Sequence, residues 1–452
     1  MKLKHRFRFM CICILSLFLP VIVQNAGASE LTKKQINIIT LEESVSEALS
    51  KFSSIKVKKE AMEEAAYAQK KARADFLPSL STTYGYTRIS DVPRLENVNL
   101  GAGPPIPKIE TATEDNYQWK VTAKQPLFTG FAIVSAYKLA RLGIDLSRFE
   151  LEMEKLDIAL KVKEVYFSVL SADKSLDVAK RAVTLLESTV NEAQDYFNAG
   201  IIPVNDLLKA EVELGSARHN LTKAQNATRI TRSAFNTVLA RPINSPVALE
   251  DILVYKPVVT DFDWSLEQAL KNRPEIKILD ITICQADQQI RLARSNYYPE
   301  IALSSDYIKE GDEPDVSGSN FHVSDSWQTM VGVSWKFWHW GETVYSVGGE
   351  KSRKKQLIHS KAGIEDGIRF QVKEAVLYLE EAEKNIPTTK KAVLQAEENL
   401  RVSKERYRSQ LTTSTEVLDA QTLLTQARLN YYNSLYGYNL AEARLQRAMG
   451  ER

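Results

Sequence analysis

The residues whose types could do chemistry are few and widely spaced. Glu416 and Asp419 stand three apart near the start of an expected helix, so they share one of its faces. Asp206 holds a similar place in an earlier helix, and acids there also complement the positive end of the helix dipole. His219, His322, His339 and His359 are scattered without zinc-ligand spacing. His339, between Trp338 and Trp340, suits a membrane interface better. No phosphate-cradling glycine loop or nucleophile elbow occurs, and Gly348-Gly349 is too bare to be either. Without polar groups converging on an apolar pocket, the expectation is no enzyme, no cofactor and no metal site.

Lys2, Lys4, Arg6 and Arg8 precede an apolar run from Met10 to Val23, and Ala26, Gly27 and Ala28 fit a small-residue cleavage site. Residues 1–28 are expected to be an export signal, with the mature chain starting near Ser29. An uncleaved anchor is the rival, but the run is shorter than the ~18 residues a span needs. Cleavage removes four basic residues and no acid, so the formal charge falls from +2 to −2. A near-neutral chain makes no case for nucleic acid. Cys11 and Cys13 leave with the signal. The remaining Cys284 is expected on a helix as a small buried hydrophobe, with no intramolecular disulfide. No later stretch reaches ~18 apolar residues, which fits either a soluble periplasmic protein or an outer-membrane β-barrel.

Stepping out to the elements, the chain aligns with itself. An offset of 221 pairs Ala48-Leu49 with Ala269-Leu270, Ala72-Arg73 with Ala293-Arg294, and Pro78 with Pro299. Further on, an offset of 210 pairs Asp206 with Glu416, Ala217-Arg218 with Ala427-Arg428, and Asn220 with Asn430. Two copies of helix, strand pair, long helix and second long helix are expected: residues 29–240 and 264–452, joined by 241–263. Leu207, Ala210, Leu214 and Ala217, and in the second copy Val417, Ala420, Leu424 and Ala427, fall on a three-four seam that implies coiled-coil packing. The helices from about Gly130 to Ala199 and Gly341 to Tyr407 would each approach ~100 Å if continuous, with Pro387 expected to bend or interrupt the second.

Four segments alternate with period two: 79–89, 116–126, 300–309 and 326–337. Tyr and Trp gather towards their ends, as in the aromatic girdles of membrane barrels. A half-buried soluble sheet is the rival, but it needs a helix stripe to cover it, and the helices are committed to their own seams. In lipid an open four-stranded sheet is forbidden, so copies must share a barrel. Three copies give twelve strands, while two give eight with a filled bore. The loops from Asp91 to Asn116 and from Lys309 to Asp325 are expected to be long and irregular, at one barrel mouth.

This duplicated pattern resembles the TolC family of outer-membrane factors over nearly the whole mature chain. The hairpin tips carry the most specific likeness: Tyr196 to Ala210 (aromatic, then glycine, then Asp-x-Leu-x-Ala) and Arg406 to Ala420. Leu77-Pro78-Ser79-Leu80, Tyr298-Pro299-Glu300-Ile301 and Gln125 to Gly130 also match. The resemblance implies an α+β membrane protein, a homotrimeric twelve-stranded β-barrel continuous with a long α-helical coiled-coil barrel. It implies a passive exit duct of a tripartite efflux or type I secretion system, gated at tips near 198–206 and 408–416. Its implied partners are outer-membrane lipid, a periplasmic adaptor contacting Gly200, Ile201, Gln410 and Leu411, and an inner-membrane RND or ABC transporter. Glu416 and Asp419 match inward-facing acids that threefold symmetry would make into cation-selecting rings. Asp206 and Tyr407 match a gate network. Thr412 stands where some members carry a gate arginine, with Arg408 as a substitute, and Gln410 replaces the usual glycine. Because the sequence stops at Arg452, the mid-tunnel belt is expected from Arg241 to Asp263. The alternative reading is a periplasmic coiled-coil spacer or adaptor with no pore, which would not need the strand pairs.

Overall fold

The computed structural model describes residues 38–98, 106–258 and 260–452. The expected signal at 1–28 and Gly101, Gly103, Pro104 and Pro105 of the first loop lie outside the described residues. The helices are α1 (Leu41–Lys51), α2 (Ser53–Ala74), α3 (Ala132–Asn198), α4 (Val204–Val238), α5 (Phe262–Asn272), α6 (Pro274–Ser295), α7 (Glu342–Arg408) and α8 (Ser414–Met449). The strands are β1 (Ser79–Arg88), β2 (Arg94–Val98), β3 (Ile106–Glu110), β4 (Asp115–Thr129), β5 (Glu300–Gly311) and β6 (Asp325–Ser334).

Two helices, rather than one, precede each strand pair. Pro274 explains the second break: it opens α6 at the first helical position and holds Arg273 extended at φ −62°, ψ 125°. Phe52 breaks the first pair with almost the same backbone, φ −63° and ψ 136°, without a proline. Thr40 and Glu43 close a reciprocal capping box that starts α1. The Asp261 carboxylate accepts the Trp264 amide at 3.0 Å to start α5.

The two 67-residue helices, α3 and α7, organise the rest. Near the sheet, α2 lies against α3, and α6 lies between α3 and α7. Near the hairpin tips, α4 takes the place beside α3, and α8 the place between α3 and α7. The seam residues Leu207, Ala210, Leu214 and Ala217 of α4, and Val417, Ala420 and Leu424 of α8, are buried. Small residues at alternate seam positions let the axes approach, and each buried leucine contributes about 1.5–3 kcal/mol. Pro387 does not interrupt α7. Around the lost amide, the Thr388 and Thr389 hydroxyls donate to the Lys384 and Asn385 carbonyls at 3.3 and 2.9 Å. Cys284 is exposed, not buried: α6 seals its seam with Ile276, Ala286 and Ile290, and the thiol lies off that stripe.

The described residues between α4 and α5 form no helix. Leu249 bridges Ile39, and the buried Tyr166 hydroxyl of α3 donates to the carbonyls of Ile39 and Glu250 at 3.1 and 2.9 Å. Tyr438 of α8 does the same for Lys256 at 2.6 Å. Buried tyrosines thus strap this segment across α3 and α8.

The main sheet runs β1-β4-β5-β6, antiparallel throughout. Within the first loop, expected to be irregular, β2 and β3 pair antiparallel, with Arg94 and Glu110 bridged at 3.3 Å. The ladder places Leu95 opposite Ile109 and Val98 opposite Ile106. Between Pro126 and Phe128 the β4 register shifts, because proline cannot donate to the ladder. Gly130 then turns the chain at φ +58°, where a Cβ would sit 2.4 Å from the Ser295 carbonyl oxygen. Only glycine fits the junction that passes β4 into α3.

Candidate functional site

Both hairpin tips are built by the same backbone device. At the end of α3, the Ile201 amide donates to Tyr196 O at 2.8 Å and the Gly200 amide to Phe197 O at 2.9 Å. At the end of α7, Leu411 donates to Arg406 O at 2.8 Å and Gln410 to Tyr407 O at 2.9 Å. This Schellman closure requires a left-handed residue, supplied by Gly200 at φ +68° and by Gln410 at φ +59°. Gln410 therefore bears strain of about 1 kcal/mol that glycine would not.

Charge closes the second tip. Arg406 donates to one Glu416 carboxylate oxygen at 3.1 Å, and the Thr412 hydroxyl donates to the other. Arg408 instead reaches α3, donating twice to Glu192 at 3.1 and 3.0 Å, and so ties the second hairpin to the first. Tyr407 is buried, its ring 5.5 Å from that of Tyr196. Burial, then the nearby Tyr196, Asp206 and Glu192, push its pKa up to about 12. Its hydroxyl finds no hydrogen-bond partner among the described residues.

Asp206 lies in the first turn of α4, its amide donating to Pro203 O at 3.1 Å, and makes no side-chain hydrogen bond to Tyr407 among the described residues. Asp419 faces an open cavity of about 330 Å³ between α4 and α8, which Asn205, Lys209 and Glu213 also line. Ile201 and Leu411 are exposed at the two tips. The structure thus joins Thr412 to Glu416, places Asp206 in the electrostatic neighbourhood of Tyr407, and leaves Asp419 apart from both groups. Sequence reasoning missed Arg406, Glu192 and the buried bond from Gln421 to Thr189 at 2.6 Å. Arg406 and Glu416 flank one turn, a signal available from the hairpin alone. Arg408 and Glu192 are 216 residues apart, with no such signal.

At the opposite end, the strand register sorts the sheet into two faces. Thr82, Val121, Tyr307 and Trp327 stand in one cross-strand row, with Leu80, Ala123, Ser305 and Thr329 in the next row on that face. The row that pairs Ile301 with Val333 continues it. Leu80 is 76%, Trp327 77% and Val333 66% exposed, so among the described residues nothing covers this apolar face. The other face is polar and bonded across strands. Asp306 accepts from Thr122 at 2.7 Å, Gln328 at 3.0 Å and Lys120 at 3.0 Å, and Gln118 donates to Glu310 at 2.6 Å. β1 and β6 are left as edges. Among the described residues no helix is long and apolar enough to cross a membrane, and no cluster of potential ligands could hold a metal ion.

Comparison with known proteins places this geometry. The chain is 21% identical to outer membrane protein TolC of Escherichia coli (strain K12) over 401 residues, 84% of this chain and 76% of that one. It is 22% identical to nodulation protein T of Rhizobium leguminosarum bv. trifolii over 306 residues, covering 64% and 62% of the two chains. Among solved structures, the fold matches CusC with a TM-score of 0.77 at 18% identity, covering 91% and 92%. It matches the Campylobacter jejuni CmeC outer membrane channel at 0.76 and 17% identity, covering 97% and 95%. It matches the open state of the Neisseria gonorrhoeae MtrE outer membrane channel at 0.73 and 19% identity, covering 91% and 89%. The family model described as "Outer membrane efflux protein" matches residues 44–241 and 265–451. Matched through both of its long hairpins, the chain belongs to the outer membrane efflux protein family.

Proposed function

We propose that this chain is one protomer of a homotrimeric exit duct that crosses the outer membrane of a Gram-negative bacterium and extends into the periplasm. The observation that carries this reading is the sheet: four strands, one exposed apolar face, one polar face and two unpaired edges. Hydrocarbon tolerates no unpaired backbone, so β1 of one copy pairs with β6 of the next until the barrel closes. Three copies give a twelve-stranded barrel wide enough to conduct, with the polar face and Asp306 lining the bore. The helices continue it as a tunnel, and the left-handed turns 210 residues apart at Gly200 and Gln410 support an origin by duplication.

The tips form the gate. Arg408–Glu192 and Arg406–Glu416 hold the second hairpin, Tyr407 packs beneath them, and Asp206 and Thr412 complete the network. Glu416 and Asp419 form the acidic rings. Exposed Ile201 and Leu411, with Gly200 and Gln410, meet a periplasmic adaptor that couples the duct to an inner-membrane RND or ABC transporter. The signal at 1–28 directs export and is removed.

Single-channel recording from the purified protein tests the reading. Cation-preferring conductance is expected, and Glu416→Gln with Asp419→Asn should abolish the preference. Absence of conductance, together with release of the protein from outer-membrane fractions by a salt wash, would point to a spacer instead.

A further inference from the structure

Just below the sheet, α6 and α7 enclose a groove of about 390 Å³ lined by Arg291, Arg294, Lys351, Lys354 and Lys355, with Asp287 the one acid in the lining. Asp287 is committed to Lys354 at 2.7 and 2.8 Å, and the other four cations form no salt bridge among the described residues. Arg291, Arg294, Lys351 and Lys355 are exposed. Five cations against one carboxylate is unusual in a chain whose formal charge is +2. Arg294 lies in the last turn of α6, just before β5, and Lys351 about 14 Å along α7 from its start at Glu342. Side chains of α7 tilt towards its N-terminus, and so towards the sheet.

Between β6 and α7 runs Trp335-Lys336-Phe337-Trp338-His339-Trp340. Its four large rings are exposed, from 57% at Trp335 to 84% at Trp340. Such rings settle at the headgroup level of a bilayer. The groove therefore begins where the headgroups of the periplasmic leaflet end, within reach of lysine and arginine side chains that extend their apolar stems along the helices.

We propose that this groove binds the phosphodiester headgroup of an anionic phospholipid in the periplasmic leaflet, pinning the α6–α7 junction to the membrane. The inference rests on the sheet spanning the outer membrane, as proposed above. Charge complementarity selects the lipid, and continuity with the aromatic run places it.

The test is native mass spectrometry of the purified full-length protein mixed with equal amounts of phosphatidylglycerol and phosphatidylcholine of identical acyl chains. The wild type should retain phosphatidylglycerol preferentially. Arg291→Gln, Arg294→Gln, Lys351→Gln and Lys355→Gln together should reduce that preference at least about tenfold, well within the electrostatic contribution of four cations. The charge-conserving set Arg291→Lys, Arg294→Lys, Lys351→Arg and Lys355→Arg should keep it, which separates loss of charge from loss of fold. Equal retention of the two lipids by the wild type, or an unchanged preference in the neutral set, would overturn the proposal. So would a neutral set that alters ion selectivity in channel recordings while keeping its lipid preference, since the groove would then face the conduit. These outcomes leave the membrane reading standing, whereas a protein that salt alone extracts removes that reading and the proposal with it.

Discussion

Glu275 shows at the residue scale how polar groups hold this helical array. Burial alone would raise its pKa, but hydrogen bonds from Arg273 at 2.7 Å and Arg447 at 2.9 Å prevail and hold it down to about 2. Arg447 also reaches Asp157 at 2.6 Å, and Arg273 reaches Gln371 at 2.7 Å. One cluster thus joins α3, α6, α7 and α8. A carboxylate with a depressed folded-state pKa contributes stability that is complete above its unfolded pKa and is lost as pH falls towards the folded one. Glu275→Gln is expected to destabilise the protein at neutral pH by roughly 2–3 kcal/mol, because it takes the carboxylate from the buried Arg273 and leaves Arg447 with Asp157 alone. It should also flatten the acid limb between about pH 5 and pH 2. Thermal denaturation in detergent across that range checks both, and a variant with the wild-type acid slope would refute the assignment. None of this was legible in the sequence: Asp157, Glu275 and Arg447 are brought together only by the packing of three helices.

The element scale is where sequence periodicity served best. The three-four seams of α4 and α8 are buried as their spacing implies, except at the half-buried Ala427, because a helix can remove only one stripe from water at a time. The second tip is an instructive departure. Its hydrogen bonds match those of the first, yet Gln410 occupies the left-handed position that Gly200 fills without cost. Gln410→Gly is expected to raise stability by about 1 kcal/mol, and Gly200→Ala to lower it by a similar amount. Opposite shifts in melting temperature would confirm this. A Gln410→Gly variant no more stable than wild type would mean that the glutamine side chain compensates the backbone. Pro387 was expected to bend or interrupt its helix, but α7 runs on through it, with the Thr388 and Thr389 hydroxyls donating to the Lys384 and Asn385 carbonyls of the preceding turn.

At the scale of the whole molecule, a single copy leaves large apolar residues exposed. Besides the apolar sheet face, Phe370 on α7 is 69% exposed, and Val212 on α4 is 67% exposed. These two helices flank opposite sides of the array, so the proposed trimer would bring α7 of one copy against α2 and α4 of the next. On an isolated protomer Phe370→Asp would be nearly neutral, since a surface position tolerates an acid. In the proposed trimer it would bury a charge against apolar neighbours and should shift the protein towards monomer. Chemical cross-linking of the detergent-solubilised protein reads this directly: a ladder ending at three bands is expected for wild type and depletion of the upper bands for the variant. An unaltered ladder would place Phe370 outside the contact.

By itself the sequence determined the order of the main helices and of the four long strands, though not the breaks at Phe52 and Arg273 or the short β2–β3 pair, because periodicity, proline and glycine act within a few residues. It identified four amphipathic strands, long helical hairpins and the positions of both tips. Only the tertiary structure decided which charges meet. It gave Glu416 to Arg406 and Arg408 to Glu192, left the Tyr407 hydroxyl unbonded among the described residues, and exposed Cys284. It also turned the two breaks at Phe52 and Arg273 into four short helices and set the register that gathers the apolar residues of four strands on one face. Side-chain pairing depends on distances between segments up to several hundred residues apart, and no local rule carries that information.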